Sequence, residues 1–113
     1  MCSTAKANEI IHEMSRNVRS LFPEGTMEVI LFGSYARHDE TDESDIDIMY
    51  LVDVPRSIIA ERNWQLGEAA ADVLLEHGVV ISPIVENKEY FHEKADTLPF
   101  FQNIQKEGVR VSA

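Results

Sequence analysis

The sequence is short of cysteine and of basic residues, and each shortage excludes a class of protein. Cys2 is the only cysteine among 113 residues, so no intrachain disulfide can form and a disulfide-rich secreted scaffold is excluded. The chain has ten Lys and Arg residues and 20 Asp and Glu residues, which gives a formal net charge of −10 at pH 7. A surface of that sign repels a polyanion, so we expect no direct binding to DNA.

Long apolar runs are missing as well. No stretch approaches the roughly 20 consecutive apolar residues that a membrane helix needs, and residues 1–6 lack the apolar segment of a signal peptide. Together with the lone thiol, these absences predict a cytoplasmic protein without a membrane partner. A length of 113 residues with 44% hydrophobic content predicts a single domain, residues 1–113, around one core.

Hydrophobic periodicity divides the chain into alternating helices and strands. Apolar residues recur at helical spacing in some segments, whereas others are short β-rich apolar runs. The predicted helices cover residues 4–22, 34–37, 57–77, 88–94 and 99–107, and the predicted strands cover residues 27–32, 45–52 and 79–85. This order predicts an α/β (α+β) fold with a small mixed sheet of three to four strands flanked by helices.

Four residues within these elements carry expectations of their own. Pro83 lacks an N–H group, so the third strand should lie at a sheet edge or contain a bulge. Gly67 lies inside the long helix, where it either permits a close helix-to-sheet approach or is simply tolerated at a cost of up to ~1 kcal/mol. Trp64 and Phe100 occupy core-like helical positions and are expected to pack inside, although residues 98–101 would also suit a partner-facing patch.

A strand-to-helix turn with small residues follows the first strand. Gly33 lets the backbone approach a ligand closely, and Ser34 adds a hydroxyl beside the N–H groups of the turn. Arg37, one turn further along, carries a planar guanidinium that suits phosphate oxygens. The sequence therefore predicts a triphosphate contact formed by Gly33, Ser34 and Arg37.

Two carboxylates share one side of the second strand. Asp45 and Asp47 are separated by Ile46, which the alternation of a strand directs into the core. Magnesium in proteins is usually held by one or two carboxylates together with substrate phosphate. A charge half-buried in an apolar strand is costly without a counter-ion, so the pair predicts a site for Mg²⁺ or Mn²⁺.

Gly33-Ser34, ten intervening residues and then Asp45-Ile46-Asp47 resemble the signature of the DNA polymerase beta-like nucleotidyltransferase superfamily. The size resembles that of its minimal nucleotidyltransferases. The resemblance implies that Asp45 and Asp47 are catalytic metal ligands, and that Gly33, Ser34 and Arg37 hold a nucleoside triphosphate, expected to be ATP. Prokaryotic members of this group are often paired with a HEPN-type helical protein. Some act as antitoxins that adenylylate a tyrosine of that partner.

One feature of the family's catalytic members is not found. They carry a third carboxylate in the middle of the neighbouring strand, where it deprotonates the acceptor hydroxyl, yet residues 79–85 contain no acid. Ser82 stands about where that carboxylate would be expected. Glu76 and Glu86 flank the predicted strand, and each is expected to be a solvated end residue unless it reaches inward.

The sequence is compatible with three functions. The first is transfer of a nucleoside monophosphate, AMP from ATP, to a hydroxyl of a partner protein. The second is a binding module with a degenerate site, whose acidic chain neutralises a partner by contact. The third is nucleotidylation of a small molecule, which requires an acceptor cleft that a chain of this length could supply only as a homodimer. Four histidines, His12, His38, His77 and His92, share no metal-ligand spacing and are expected at the surface.

Overall fold

The computed structural model describes residues 4–41 and 44–111, which form a four-stranded sheet with helices on both faces. The mixed α/β architecture predicted from the sequence is confirmed. The helices are α1 (Thr4–Leu21), α2 (Gly33–Arg37), α3 (Arg56–His77), α4 (Lys88–Lys94) and α5 (Pro99–Glu107), and the strands are β1 (Glu28–Phe32), β2 (Ile46–Val52), β3 (Ile81–Asn87) and β4 (Val109–Arg110).

The sheet has the order β3-β2-β1-β4, so β2 is central and β3 forms an edge. β1 is antiparallel to both of its neighbours, whereas β2 and β3 run parallel and are connected through α3. The edge position of β3 confirms the expectation drawn from Pro83, because a strand edge tolerates a residue without an N–H group.

Strand β2 is buried on both faces, and its alternation divides the core in two. Ile46, Ile48 and Tyr50 face α1 and α3, where they pack with the apolar stripes of those helices. Met49 and Leu51 face α4 and α5, and Asp47 precedes them on that same side of the strand. Asp47 therefore lies at one end of a face that is otherwise apolar.

Several sequence expectations are corrected by the structure. Trp64 and Phe100 are not core residues, because 65% and 49% of their surfaces are exposed. Asp45 precedes β2 instead of starting it. Strand β3 is shifted toward the C-terminus relative to residues 79–85 and includes Glu86, and the two-residue strand β4 was not predicted.

Gly67 lies in an open stretch of α3. A methyl group added there would have no neighbour within 4 Å, so the structure supports simple tolerance and not a close helix-to-sheet approach. We expect Gly67→Ala to raise the free energy of unfolding by up to ~1 kcal/mol, because alanine has the higher helix propensity. Urea unfolding followed by circular dichroism measures the change. A lower stability in the variant would show that Gly67 has a packing role.

No helix in the described part of the chain is both long enough and apolar enough to cross a membrane.

Candidate functional site

Gly33 and Asp47 form the centre of the site, where β1 ends beside the start of β2. Asp47 is the register partner of Phe32, so its side chain lies next to the backbone turn that follows Phe32. Gly33 adopts a φ of 74°, a left-handed conformation that favours glycine. A Cβ at this position would lie 3.1 Å from Cγ of Asp47 and would overlap its Oδ2 atom. The carboxylate thus lies directly against the turn.

The two aspartates predicted to bind metal lie close enough to repel one another. Asp47 is half-buried and Asp45 is exposed. Burial raises the pKa of the Asp47 carboxyl above its ordinary value, the nearby Asp45 charge raises this pKa further, and Arg37 opposes the shift. A raised pKa means that the ionised form is disfavoured in the protein alone. A bound divalent cation would relieve both causes of that shift.

Ser34 and Arg37 lie on the short helix α2, which starts at the turn. Within residues 4–41 and 44–111 the Ser34 hydroxyl has no hydrogen-bond partner, while its backbone carbonyl accepts a bond from Asp39. The guanidinium of Arg37 lies 3.2 Å from the Asp39 carboxylate and 3.6 Å from that of Glu107. Both pairs are exposed, so each holds Arg37 only weakly and a phosphate could replace them.

Ser82 occupies the position on β3 that neighbours Asp47. It is the register partner of Asp47 in the parallel pair of strands, so both side chains point to the same face. This geometry agrees with the sequence-based placement of Ser82. A serine hydroxyl there can donate a hydrogen bond, but it cannot act as the carboxylate base that the resemblance leads us to expect at this position.

Neither Glu76 nor Glu86 supplies the missing carboxylate. Glu86 lies four residues beyond Ser82, about 13 Å further along the strand. It is buried, not solvated as expected, and it pairs with Arg56 at 3.2 Å. Glu76 lies on α3, which packs against the opposite face of the sheet from Asp47. Among the residues described, the site therefore contains two carboxylates.

A small cavity of about 190 Å³ adjoins the turn on the α5 side. It is lined by Gly33, Arg37, Phe100, Asn103 and Glu107, together with two apolar neighbours. A larger cavity of about 420 Å³ lies between α1 and the start of β1, but none of its described lining residues is acidic. Sequence reasoning missed the contribution of α5, since no motif links Phe100 to a turn 67 residues earlier.

The arrangement fits a divalent cation carrying a triphosphate. Asp47 has a raised pKa and lies next to the glycine turn, within electrostatic reach of the Asp45 carboxylate and the exposed Arg37 guanidinium. Hard oxygen ligands of this kind suit Mg²⁺ or Mn²⁺, which would complete their coordination with phosphate oxygens.

Comparisons with known proteins agree with this chemistry. The family model described as "Nucleotidyltransferase domain" matches residues 11–109. Two proteins of Methanocaldococcus jannaschii are similar to the chain, and each is named "Putative protein adenylyltransferase". The first is 39% identical and covers 87% of this chain and 90% of its own length. The second is 30% identical and covers 91% of this chain and 96% of its own length.

A solved structure shares the fold. It is described as a "putative nucleotidyltransferase" from Sulfolobus solfataricus, with a TM-score of 0.60 and 24% sequence identity. The match covers 90% of this chain and 76% of that one. At this level of identity the likeness concerns the fold of the molecule.

Proposed function

This chain belongs to the nucleotidyltransferase domain family, and we propose that it transfers AMP from ATP to a hydroxyl of a partner protein. The family assigns nucleotidyl transfer, and the names of the two archaeal relatives suggest that the acceptor is a protein. The single observation that carries the proposal is the contact between Asp47 and Gly33, since it joins a metal ligand to a phosphate turn.

The proposed roles follow from the geometry of each residue. Asp45 and Asp47 hold the cation, and Ser34 and Arg37 contact the phosphates that approach Gly33. Magnesium, when bound, neutralises charge on the phosphate oxygens and stabilises the pyrophosphate leaving group. The acceptor oxygen attacks the α-phosphorus, the bond from that phosphorus to the bridging oxygen breaks, and the acceptor proton passes to solvent. The products are an AMP ester and pyrophosphate.

Ser82 bears on the choice of acceptor. Without a carboxylate beside Asp47 on β3, the site must rely on a hydroxyl that ionises without a strong base. A tyrosine phenol has an ordinary pKa near 10, far below that of water or an aliphatic alcohol. We therefore propose a tyrosine as the acceptor, in accord with the acceptor of the minimal antitoxin enzymes that the sequence resembles.

The proposed partner is a HEPN-type protein, with this chain as its antitoxin in the cytoplasm. The support is the resemblance of the sequence to the minimal group and a net charge of −10, which suits a basic protein surface. A homodimer is compatible with this role but is not required by it.

The position of the radiolabel in ATP tests the reaction class. With the candidate partner and Mg²⁺, we expect label from [α-³²P]ATP to enter the partner and label from [γ-³²P]ATP to be released as pyrophosphate. Mass spectrometry should locate the added AMP on a tyrosine. Incorporation of the γ-label would indicate phosphoryl transfer and would contradict the proposal, as would AMP on the partner without dependence on a divalent cation.

Ser82 also favours a second candidate, a binding module that neutralises its partner by contact. A site that lacks the third carboxylate can retain nucleotide without turnover. In that case ATP and Mg²⁺ should bind by calorimetry while the partner gains no adduct, and inhibition of the partner should be unaffected by removing ATP. An adduct on the inhibited partner would exclude contact alone.

A further inference from the structure

A cluster of side chains that could bind a metal lies between α1 and α3, on the opposite face of the sheet from Asp47. Glu13 of α1 and Glu76 and His77 of α3 bring one ligand atom each within 4.8 Å of one another. Nε2 of His77 lies 2.9 Å from a Glu13 oxygen and 3.9 Å from a Glu76 oxygen. The cluster could not be found from sequence spacing, because Glu76 and His77 lie more than 60 residues after Glu13.

The distances approach those of a tetrahedral site. Zinc bonds of about 2.0–2.1 Å to nitrogen and oxygen place neighbouring ligand atoms roughly 3.3 Å apart. His77 and Glu13 need to separate by only a few tenths of an ångström to reach this spacing. Glu76 must move further, because its oxygen lies 3.9 Å from His77 and within 4.8 Å of the Glu13 ligand atom, and its largely exposed side chain is free to do so.

The electrostatic surroundings favour a cation. Neither carboxylate forms an ion pair with Lys or Arg within the part of the chain that the structure describes. The negative end of the α3 dipole lies at His77, where the helix ends before Gly78. The imidazole of His77 is 7% exposed, so an ion bound to it would lie at the junction of two helices and not in open solvent.

We propose that Glu13, Glu76 and His77 form a second cation site, which binds a divalent transition-metal ion such as Zn²⁺ and ties α1 to α3. The imidazole nitrogen selects against Mg²⁺, which prefers an all-oxygen environment. The fourth position is left for water, as in zinc sites with three protein ligands.

Calorimetric titration with Zn²⁺ in excess Mg²⁺ tests the site, because Mg²⁺ competes for Asp45 and Asp47. We expect wild-type protein to bind one Zn²⁺ with micromolar or tighter affinity, and to show a higher Tm in its presence. His77→Gln and Glu76→Gln should each weaken this binding by at least about tenfold, since even indirect partners of metal ligands contribute that much. Co²⁺ should give the visible absorption of a tetrahedral complex in wild type alone.

Matched controls lie on the same helix. His12 is adjacent to Glu13 in the sequence, and Glu9 lies one helical turn before it; both side chains are exposed. His12→Gln and Glu9→Gln should therefore leave Zn²⁺ affinity unchanged. Glu76 is largely exposed, and among residues 4–41 and 44–111 its side chain forms an ion pair with His77 alone, so Glu76→Gln should fold even if His77→Gln does not. The proposal is overturned if wild type binds no Zn²⁺ under these conditions, or if Glu76→Gln weakens binding by less than tenfold.

Discussion

Asp47→Asn should abolish nucleotidyl transfer while the protein stays folded. The amide keeps the shape of the side chain, which lies against Gly33, but loses the negative charge that the proposed cation requires. Loss of metal-assisted stabilisation is worth several kcal/mol in the transition state, which corresponds to a fall in rate on the order of 1000-fold. Transfer of label from [α-³²P]ATP to the partner measures this loss.

The same substitution should make the metal-free protein more stable at neutral pH. The pKa of Asp47 is raised in the folded state, mainly by burial and then by Asp45, so the folded protein prefers the neutral carboxyl. Stability that depends on the protonated group is present at low pH and is lost as the pH rises through the folded pKa. Asparagine avoids that loss. The free energy of unfolding, measured in urea, should therefore be higher for Asp47→Asn than for wild type at pH 7. The difference should shrink as the pH falls toward about 4.

Asp72→Asn is the matched control, since Asp72 is exposed on α3 and lies away from the site. It should retain transfer and show no comparable gain in stability. Retention of full transfer by Asp47→Asn would reject the catalytic role of Asp47. A loss of stability at pH 7 in that variant would contradict the electrostatic argument separately.

Gly33→Ala should also lower transfer activity, by roughly 100-fold, through displacement of the carboxylate and not through loss of charge. A Cβ at position 33 would overlap Oδ2 of Asp47, so the side chain must rotate out of the turn. Misplacing a catalytic group by about 1 Å can cost roughly 100-fold in rate. The positive φ of 74° adds a backbone cost of about 1–2 kcal/mol to the folded state.

Gly78→Ala separates these two effects. Gly78 has a φ of 68°, nearly that of Gly33, but an added Cβ there would meet nothing within 4 Å. Both variants should lose similar stability by urea unfolding, whereas Gly33→Ala alone should lose transfer activity. Equal activity in the two variants would show that the overlap at Gly33 is absorbed without moving Asp47.

Local patterns predicted most of the fold because they follow from burial. The helical stripe of α1 and the alternation of β2 each reflect contact with the sheet or the core, so Ile46 and Ile48 were placed correctly. The prediction that Trp64 is buried was wrong, because helical periodicity identifies an apolar position without showing whether another element covers it. Strand β4 is too short to give a periodic signal, and it forms only because β1 offers it a free edge.

The proximity of the two aspartates to the Gly33 turn was predictable for a different reason. Gly33 is followed directly by Ser34, and Asp45 and Asp47 lie only 12 and 14 positions after Gly33, so one pairing between neighbouring strands brings the turn and the carboxylates together. The neighbours that come from distant segments were harder to predict. The pairing of Arg37 with Glu107 and the approach of Phe100 depend on how α5 packs over β1, which no local pattern encodes.

Pro83 affects whether two copies of the chain could associate through the β3 edge of the sheet. The carbonyl of Val80 accepts a bond from Ile46, so alternation along β3 directs the backbone nitrogen of residue 83 away from β2. The outer margin of β3 therefore lacks a donor at its middle. If a second molecule added a strand along this edge, its carbonyl opposite Pro83 would find no N–H group to bond. Self-association would therefore have to use another surface, either the β4 edge or a helical face.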